Sequence, residues 1–239
     1  MKRLVLPLSG AILVALLAAL FLECRLPFAS NLLLNLAAGL VLVLLTALYV
    51  DYVLRLRERQ RQADVEQRVR TRLKTLASAC MTACRTVAGY GWEVFRLEEL
   101  FSRDPDRQFR EVLRVSKAVV GPSLEAKVQK ASRAELVNLW TLLTSITESV
   151  DKILSAFSTR LEPRWFAGVL DTQDAADVSL GVYRTTPEFL LEGAPFAELR
   201  VQARRALAAF LGRMLAAAHD LADTVLEAEE REAGGKDAG

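Results

Sequence analysis

Residues 32–50 read LLLNLAAGLVLVLLTALYV, and residues 51–74 continue as DYVLRLRERQRQADVEQRVRTRLK. The first part has nineteen residues and no formal charge. As a helix rising ~1.5 Å per residue it spans roughly 28 Å, close to the ~30 Å hydrocarbon core of a bilayer. The second part carries seven arginines and one lysine against four acids. An uncharged helix that runs straight into a basic one reads as a membrane span leaving the bilayer, with Tyr49 and Tyr52 at the level of an interfacial aromatic belt.

Toward the N-terminus a second such stretch appears. Leu4 to Leu22 reads LVLPLSGAILVALLAALFL, again uncharged, and only Glu23 to Asn31 separates it from the first. So short a link forces the two helices to run antiparallel. The sequence therefore predicts a transmembrane hairpin over residues 1–52, with helices at about 4–22 and 32–50. Lys2 and Arg3 precede it, the connecting loop carries one base, Arg25, and Arg55, Arg57, Arg59 and Arg61 follow it. The positive-inside rule then places both termini in the cytoplasm, in the plasma (inner) membrane. The rival reading of the first stretch is a cleaved signal peptide. Against it, the stretch is longer than the usual ~7–15 apolar residues, no small-x-small site follows, and Phe21-Leu22-Glu23 before Cys24 is a poor lipoprotein signal.

Ala11, Ala15 and Ala19 recur every four residues, as do Asn31, Asn35 and Gly39. Small residues permit close backbone approach in lipid, and an amide can hydrogen-bond across helices. The two stripes are expected to pack on each other, although Asn31 also suits a helix cap after Ser30. Asn35 is the more informative residue, because an amide facing lipid is costly. The cluster Arg55, Arg57, Arg59 and Arg61 can attract anionic head groups, at about 1 kcal/mol per base near the surface; cytoplasmic flanks of membrane spans are basic in any case.

Residues 53–231 read as a juxtamembrane helix followed by a cytoplasmic antiparallel helical bundle. Val69, Leu73, Leu76, Cys80, Ala83 and Val87 form one apolar seam, which Gly89-Tyr90-Gly91 weakens or ends. Asp104-Pro105 opens a shorter helix burying Phe109, Val112, Leu113 and Val119 and stopping near Gly121-Pro122. Ser132 and Glu135 form a capping box ahead of Leu136, Leu139, Leu143, Ile146, Val150, Ile153 and Phe157. Residues 163–193 look less regular, with Trp165, Phe166, Val169 and Leu170 as core and a turn at Thr186-Pro187. A last helix over about Pro195 to Arg231 buries Leu207, Leu211, Met214, Ala218, Leu221 and Val225, and residues 232–239 are expected to be a disordered tail. Such seams also suit a coiled-coil oligomer, but they are short and contain Ala and Cys, so packing within the chain is the preferred reading.

Composition agrees with this all-α architecture. Of 239 residues, 52% are hydrophobic, Pro and Gly are sparse, and the net charge is +2, which gives no reason to expect nucleic acid. There are three cysteines and one histidine, too few for a disulfide framework or most zinc and triad chemistry. Cys80 and Cys84 share a helical face; two thiols lack the further ligands a structural metal needs, so they read as core. Asp171, Asp174 and Asp177 recur every three residues and offer three carboxylates to a divalent cation, or a solvated helix face. His219 and Asp220 lie on different helical faces, and His219 reads as a surface residue. Phosphate-loop, dinucleotide, nucleophile-elbow and zinc-protease motifs are absent, so no catalytic residue, cofactor or metal site is expected.

The run Ser30-Asn31-Leu32-Leu33-Leu34-Asn35-Leu36-Ala37, followed by Val50-Asp51-Tyr52-Val53-Leu54 and Arg55-Leu56-Arg57-Glu58-Arg59, resembles uncharacterised prokaryotic two-transmembrane-helix proteins with a helical cytoplasmic region. The resemblance covers about residues 30–59. It implies a prokaryotic plasma-membrane protein and brings neither activity nor site residues.

The function expected from these features is a non-enzymatic, membrane-anchored helical interaction or scaffold module. Its partners would be the lipid bilayer, other copies of itself in a homo-oligomer, or a cytoplasmic or membrane protein. The alternatives are an oligomeric channel or transporter subunit with Asn35 and Thr46 turned inward, a signalling element coupling the hairpin to the bundle, and a membrane-bound enzyme using the Asp171 cluster.

Overall fold

The computed structural model describes residues 10–18, 20, 27–185 and 197–236. The first residues of the expected N-terminal span, Ala19, the turn at Thr186-Pro187 and residues 237–239 lie outside them. Every described element is helical: α1 over residues 10–18, α2 Pro27–Val87, a 3-10 turn Trp92–Val94, α3 Leu97–Leu100, α4 Pro105–Val115, a π turn Ser116–Val120, α5 Gly121–Lys130, α6 Arg133–Phe157, α7 Pro163–Thr185 and α8 Ala197–Lys236. The chain divides into two compact units, Met1–Val65 and Glu66–Gly239. The charged stretch 53–65 thus goes with the first unit, where the sequence reading placed it with the bundle.

In the first unit α2 begins at Pro27, a residue suited to the first helical turn because its missing N–H is not needed there. Among the described residues α2 is the one helix long and apolar enough to cross a membrane, and only 6% of its most apolar 18-residue stretch is buried. Leu42, Leu45 and Leu48 are exposed, while Ala37 is buried. Residues 10–18 and 20 of the expected first span are helical.

In the second unit α2 is a core helix. Val69, Leu73, Leu76, Cys80, Ala83 and Val87 are all buried. The helix ends where the sequence says it should. Gly89 takes φ +66, and its N–H donates to Thr86 O at 3.0 Å while that of Tyr90 donates to Arg85 O at 3.3 Å. This is a Schellman ending, which favours glycine in the left-handed position. The 3-10 turn and α3 carry the chain back, so that Asp106 at the start of α4 meets Lys74 and Ser123 on α5 meets Tyr90. Consequently α4–α5 runs parallel to α2. α8 runs antiparallel to both: Lys74 pairs with Glu229 and Cys84 Sγ lies 3.7 Å from Leu211 O, while Lys117 pairs with Asp223 and Arg204 bonds Gln129 O. α6 starts at the expected capping box, with Ser132 N donating to Glu135 Oε2 at 2.6 Å and Glu135 N to Ser132 Oγ at 3.3 Å. Its seam from Leu136 to Ile153 is buried, and Phe157 is half-buried.

Three expectations need correction. Gly121-Pro122 does not stop a helix. Proline removes one N–H and crowds the carbonyl four residues back; here the preceding turn widens to a π turn, in which Gly121 N–H donates to Ser116 O, and the chain continues as α5. Residues 163–185 are not irregular but form α7. Its buried face is Trp165, Val169, Thr172, Ala175, Ala176, Ser179 and Leu180, whereas Phe166 is half-buried and Leu170 exposed. Thr172 and Ser179 donate to Gly168 O at 2.8 Å and Ala175 O at 2.7 Å, so each hydroxyl is satisfied within its own helix and packs as a small residue. Finally, α8 continues to Lys236, into the segment expected to be tail. The acids near its end meet bases on α2 and α4, which holds the last turns in place.

Candidate functional site

In the first unit Arg55, Arg57, Arg59 and Arg61 are all exposed, and Arg55 pairs with Asp51 at 2.7 Å. Of the expected packing stripes, Ala11, Ala15, Asn35 and Gly39 have described side chains. Ala15 is buried, but Ala11, Asn35 and Gly39 are exposed, and a Cβ added to Gly39 would meet nothing within 4 Å. In the same unit the small residue Ala37 of α2 is also buried. Asn35 and Gly39 therefore present an amide and an open backbone away from the unit's own contacts. Thr46 donates its hydroxyl to Leu42 O at 2.8 Å and is satisfied within α2.

In the second unit polar groups gather at two places. The first is the π turn. It brings Ser116, 2% exposed, against α8, with its Oγ 2.8 Å from His219 Nε2. His219 is thus half-buried, contrary to the surface position expected. Burial pushes its pKa down, nearby Lys117 pushes the same way, and Asp223 and Asp220 oppose them. Lys117 itself pairs with Asp223 at 2.7 Å. Serine hydrogen-bonded to a neutral imidazole has the makings of a nucleophile and base. The pair joins α4–α5 to α8, with the serine hydroxyl buried between them. A groove of about 430 Å³ runs alongside, lined by Leu124, Glu125, Arg205, Leu215 and His219 among others.

The second place is the end of the unit where α2 and α8 meet. Arg70 is 8% exposed and binds Glu232 through two nitrogens, one at 2.8 Å, and Glu66 at 2.5 Å; its guanidinium lies over the Trp165 ring, 5.9 Å from the centroid. Lys74 bridges Asp106 and Glu229 at 2.7 Å each, and Arg110 reaches Glu230 at 3.7 Å. Three helices are thereby clasped at one end, beside a groove of about 560 Å³ that includes Gln67, Lys74, Asp106 and Glu229 in its walls. Nearby, Glu111 is almost fully buried. Its hydrogen bonds from Arg114 hold its carboxyl below the usual range against the opposing effect of burial, and the Arg96 N–H at 2.6 Å adds to them.

Cys80 and Cys84 are free and buried, and burial pushes the Cys80 thiol up to about 12. They belong to the core. Asp171, Asp174 and Asp177 lie exposed along α7, with Asp177 raised by partial burial and by the charges of Asp151 and Asp174. No group of three potential metal ligands occurs among the described residues. Sequence reading missed the Ser116–His219 contact and the Arg70–Lys74 clasp. The second left a trace: bases four apart at 70 and 74, and acids at 229, 230 and 232 on another helix. The first left none, because it depends on the π turn. Comparison with protein-family models, with curated proteins and with solved structures finds no match for this chain.

Proposed function

We propose that the chain is a membrane-anchored helical interaction module. The N-terminal helices form a transmembrane hairpin, both termini are cytoplasmic, and the helical second unit is held at the inner face of a prokaryotic plasma membrane. The observation that carries this reading lies on one helix. The apolar stretch of α2 is almost bare of protein contact, while residues 69–87 of the same helix are core. Bare leucine over that length needs an apolar solvent. The basic exposed cluster from Arg55 to Arg61 supports the cytoplasmic side, and the resemblance of residues 30–59 supports a prokaryotic membrane. The work done is tethering: confinement to a surface raises the effective concentration of whatever the helices bind. Exposed Asn35 and Gly39 favour self-association in the bilayer, because a second copy gives the amide a partner that lipid does not.

Co-purification from native membranes after carbonate washing tests the reading. The chain should stay in the membrane and emerge as an oligomer or with a reproducible partner. A strictly monomeric protein that retains no partner overturns it. A reporter fused after Gly239 should be active only in its cytoplasmic form.

A further inference from the structure

Within the second unit a groove of about 480 Å³ lies between α2 and α6, a size ordinary for small-molecule sites. Its apolar wall is formed by Ala79, Ala156 and the half-buried Phe157, with Leu76 and Ile153 of the core beneath them, and its charged lining residues are Arg72 and Lys152. No carboxylate lines it. The two grooves described above differ in this respect: one includes Glu125, the other Asp106 and Glu229. Arg72 is exposed and has no ion pair among the described residues. Lys152 meets only Glu148, at a loose 3.9 Å and with both side chains well exposed. The hydroxyls in the wall are already used within their helices: Thr75 donates to Thr71 O, Ser149 to Ser145 O and Ser155 to Lys152 O. What remains for an occupant is therefore an apolar surface and two cations.

We propose that this groove binds a single-chain anionic amphiphile, its acyl tail along Ala79, Ala156 and Phe157 and its carboxylate or phosphate head between Arg72 and Lys152. Charge complementarity selects the head, since a neutral or cationic ligand leaves both bases unanswered. The apolar wall selects the tail, since inorganic anions gain nothing from it. The groove runs along two turns of each helix, roughly 10 Å, which suits a medium-length chain better than a two-tailed lipid.

The test uses the full chain in an uncharged maltoside detergent, with dansyl-undecanoate as the fluorescent probe and dodecanoate, dodecyl phosphate, dodecanol and inorganic phosphate as competitors. Dodecanoate and dodecyl phosphate should displace the probe, and their ratio tells a fatty acid from a phospholipid-type head. Dodecanol and inorganic phosphate should displace it at least about ten-fold less well, the scale of one lost charge-assisted contact. The double variant R72Q/K152Q should weaken binding by a similar factor, and A156W, which fills the groove, should abolish it. R133Q/R164Q, two exposed bases outside the groove, should bind as the parent does. R72Q/K152Q alters only exposed side chains, so it keeps the test valid if A156W does not fold. Equal displacement by dodecanol, displacement by inorganic phosphate alone, an unaltered R72Q/K152Q, or an equal loss in R133Q/R164Q would each overturn the proposal.

Discussion

The two ends of α2 share a backbone conformation and differ in what surrounds them. Around residues 42–48 leucine, valine and alanine occupy every face except at Thr46, and Leu42 is 67% exposed. Around residues 69–87 the apolar residues keep to a seam, and Leu73 is 0% exposed. A seam specifies one partner surface, and the second unit supplies it. An all-round apolar surface specifies a solvent. The helix thus carries two kinds of surface, and substitutions that are alike in chemistry should differ in effect according to the end they touch.

The largest difference concerns leucine truncation. Leu76→Ala removes a side chain that is 1% exposed and leaves a cavity in the core, which should cost about 2–5 kcal/mol. Leu45→Ala, at a side chain 58% exposed, should leave the thermal unfolding of the second unit unmoved. Melts of the two variants in the same detergent, followed by circular dichroism, make the comparison. A loss in Leu45→Ala matching that in Leu76→Ala would mean that the apolar stretch is packed on protein.

Next comes the clasp at the end of the second unit. Arg70→Ala removes the guanidinium bonds of Glu66 and Glu232 and uncovers Trp165. Both acids are partly exposed, so water replaces some of the lost bonding, and about 1–3 kcal/mol is expected. The loss should shrink in high salt, whereas that of Leu76→Ala should not. The discriminating measurement is the salt dependence of the two midpoints. Identical salt responses would show the clasp to be idle.

Most of the second unit was legible in the sequence because its devices are local. The capping box at Ser132, the proline at the start of α4 and the Gly89 ending each need only a few adjacent residues. The seams of α2, α6 and α8 follow from spacing alone. α7 was not legible, because its buried face uses Thr172, Ala175, Ala176 and Ser179, which a count of apolar residues does not credit. The run through Pro122 was not legible either: whether proline ends a helix or widens it depends on what packs against the turn. The candidate sites suffer most from this. His219 acquires its partner from a helix about a hundred residues away, and the α2–α6 groove is made of two seams whose mutual register no single segment encodes.

His219 gives the third prediction, on pH. Its pKa is lowered in the fold, by burial first and by Lys117 second, while in the unfolded chain it titrates near about 6.5. Between those values the unfolded chain binds more protons than the folded one, so stability rises with pH. Acidification below about pH 6.5 should therefore lower the midpoint of the second unit, with the loss levelling off below the folded pKa. Glu111, whose carboxyl is held low, adds a loss in the same direction below the ordinary carboxylate range, whereas Asp177, raised in the fold, gives an opposite gain as the pH falls through the interval just above that range. Midpoints measured from pH 7.5 to 5 lie above the Glu111 window, and a histidine variant separates His219 from Asp177. His219→Gln keeps an amide that can reach Ser116 and should flatten the profile in that window. A slope that survives the substitution would assign it to other groups.

The smallest effects come from two glycines on either side of the same comparison. Gly89, just past α2, has φ +66, with Glu135 Oε1 only 3.1 Å from where a Cβ would stand. Gly89→Ala should cost about 1–2 kcal/mol, because an L side chain in the left-handed region meets its own backbone. Gly39 sits inside the helix with open space around it. Within one chain Gly39→Ala should be neutral or slightly stabilising, since alanine is the better helix former by up to about 1 kcal/mol. The open backbone matters only if another molecule lies against it. If copies pack through Asn35 and Gly39, the added methyl separates the helices and weakens the oligomer while the melt of the second unit stays the same. Cross-linking in membranes beside circular dichroism in detergent reads the two quantities separately. An oligomer indifferent to both Gly39→Ala and Asn35→Leu would move self-association, if it occurs, to the second unit.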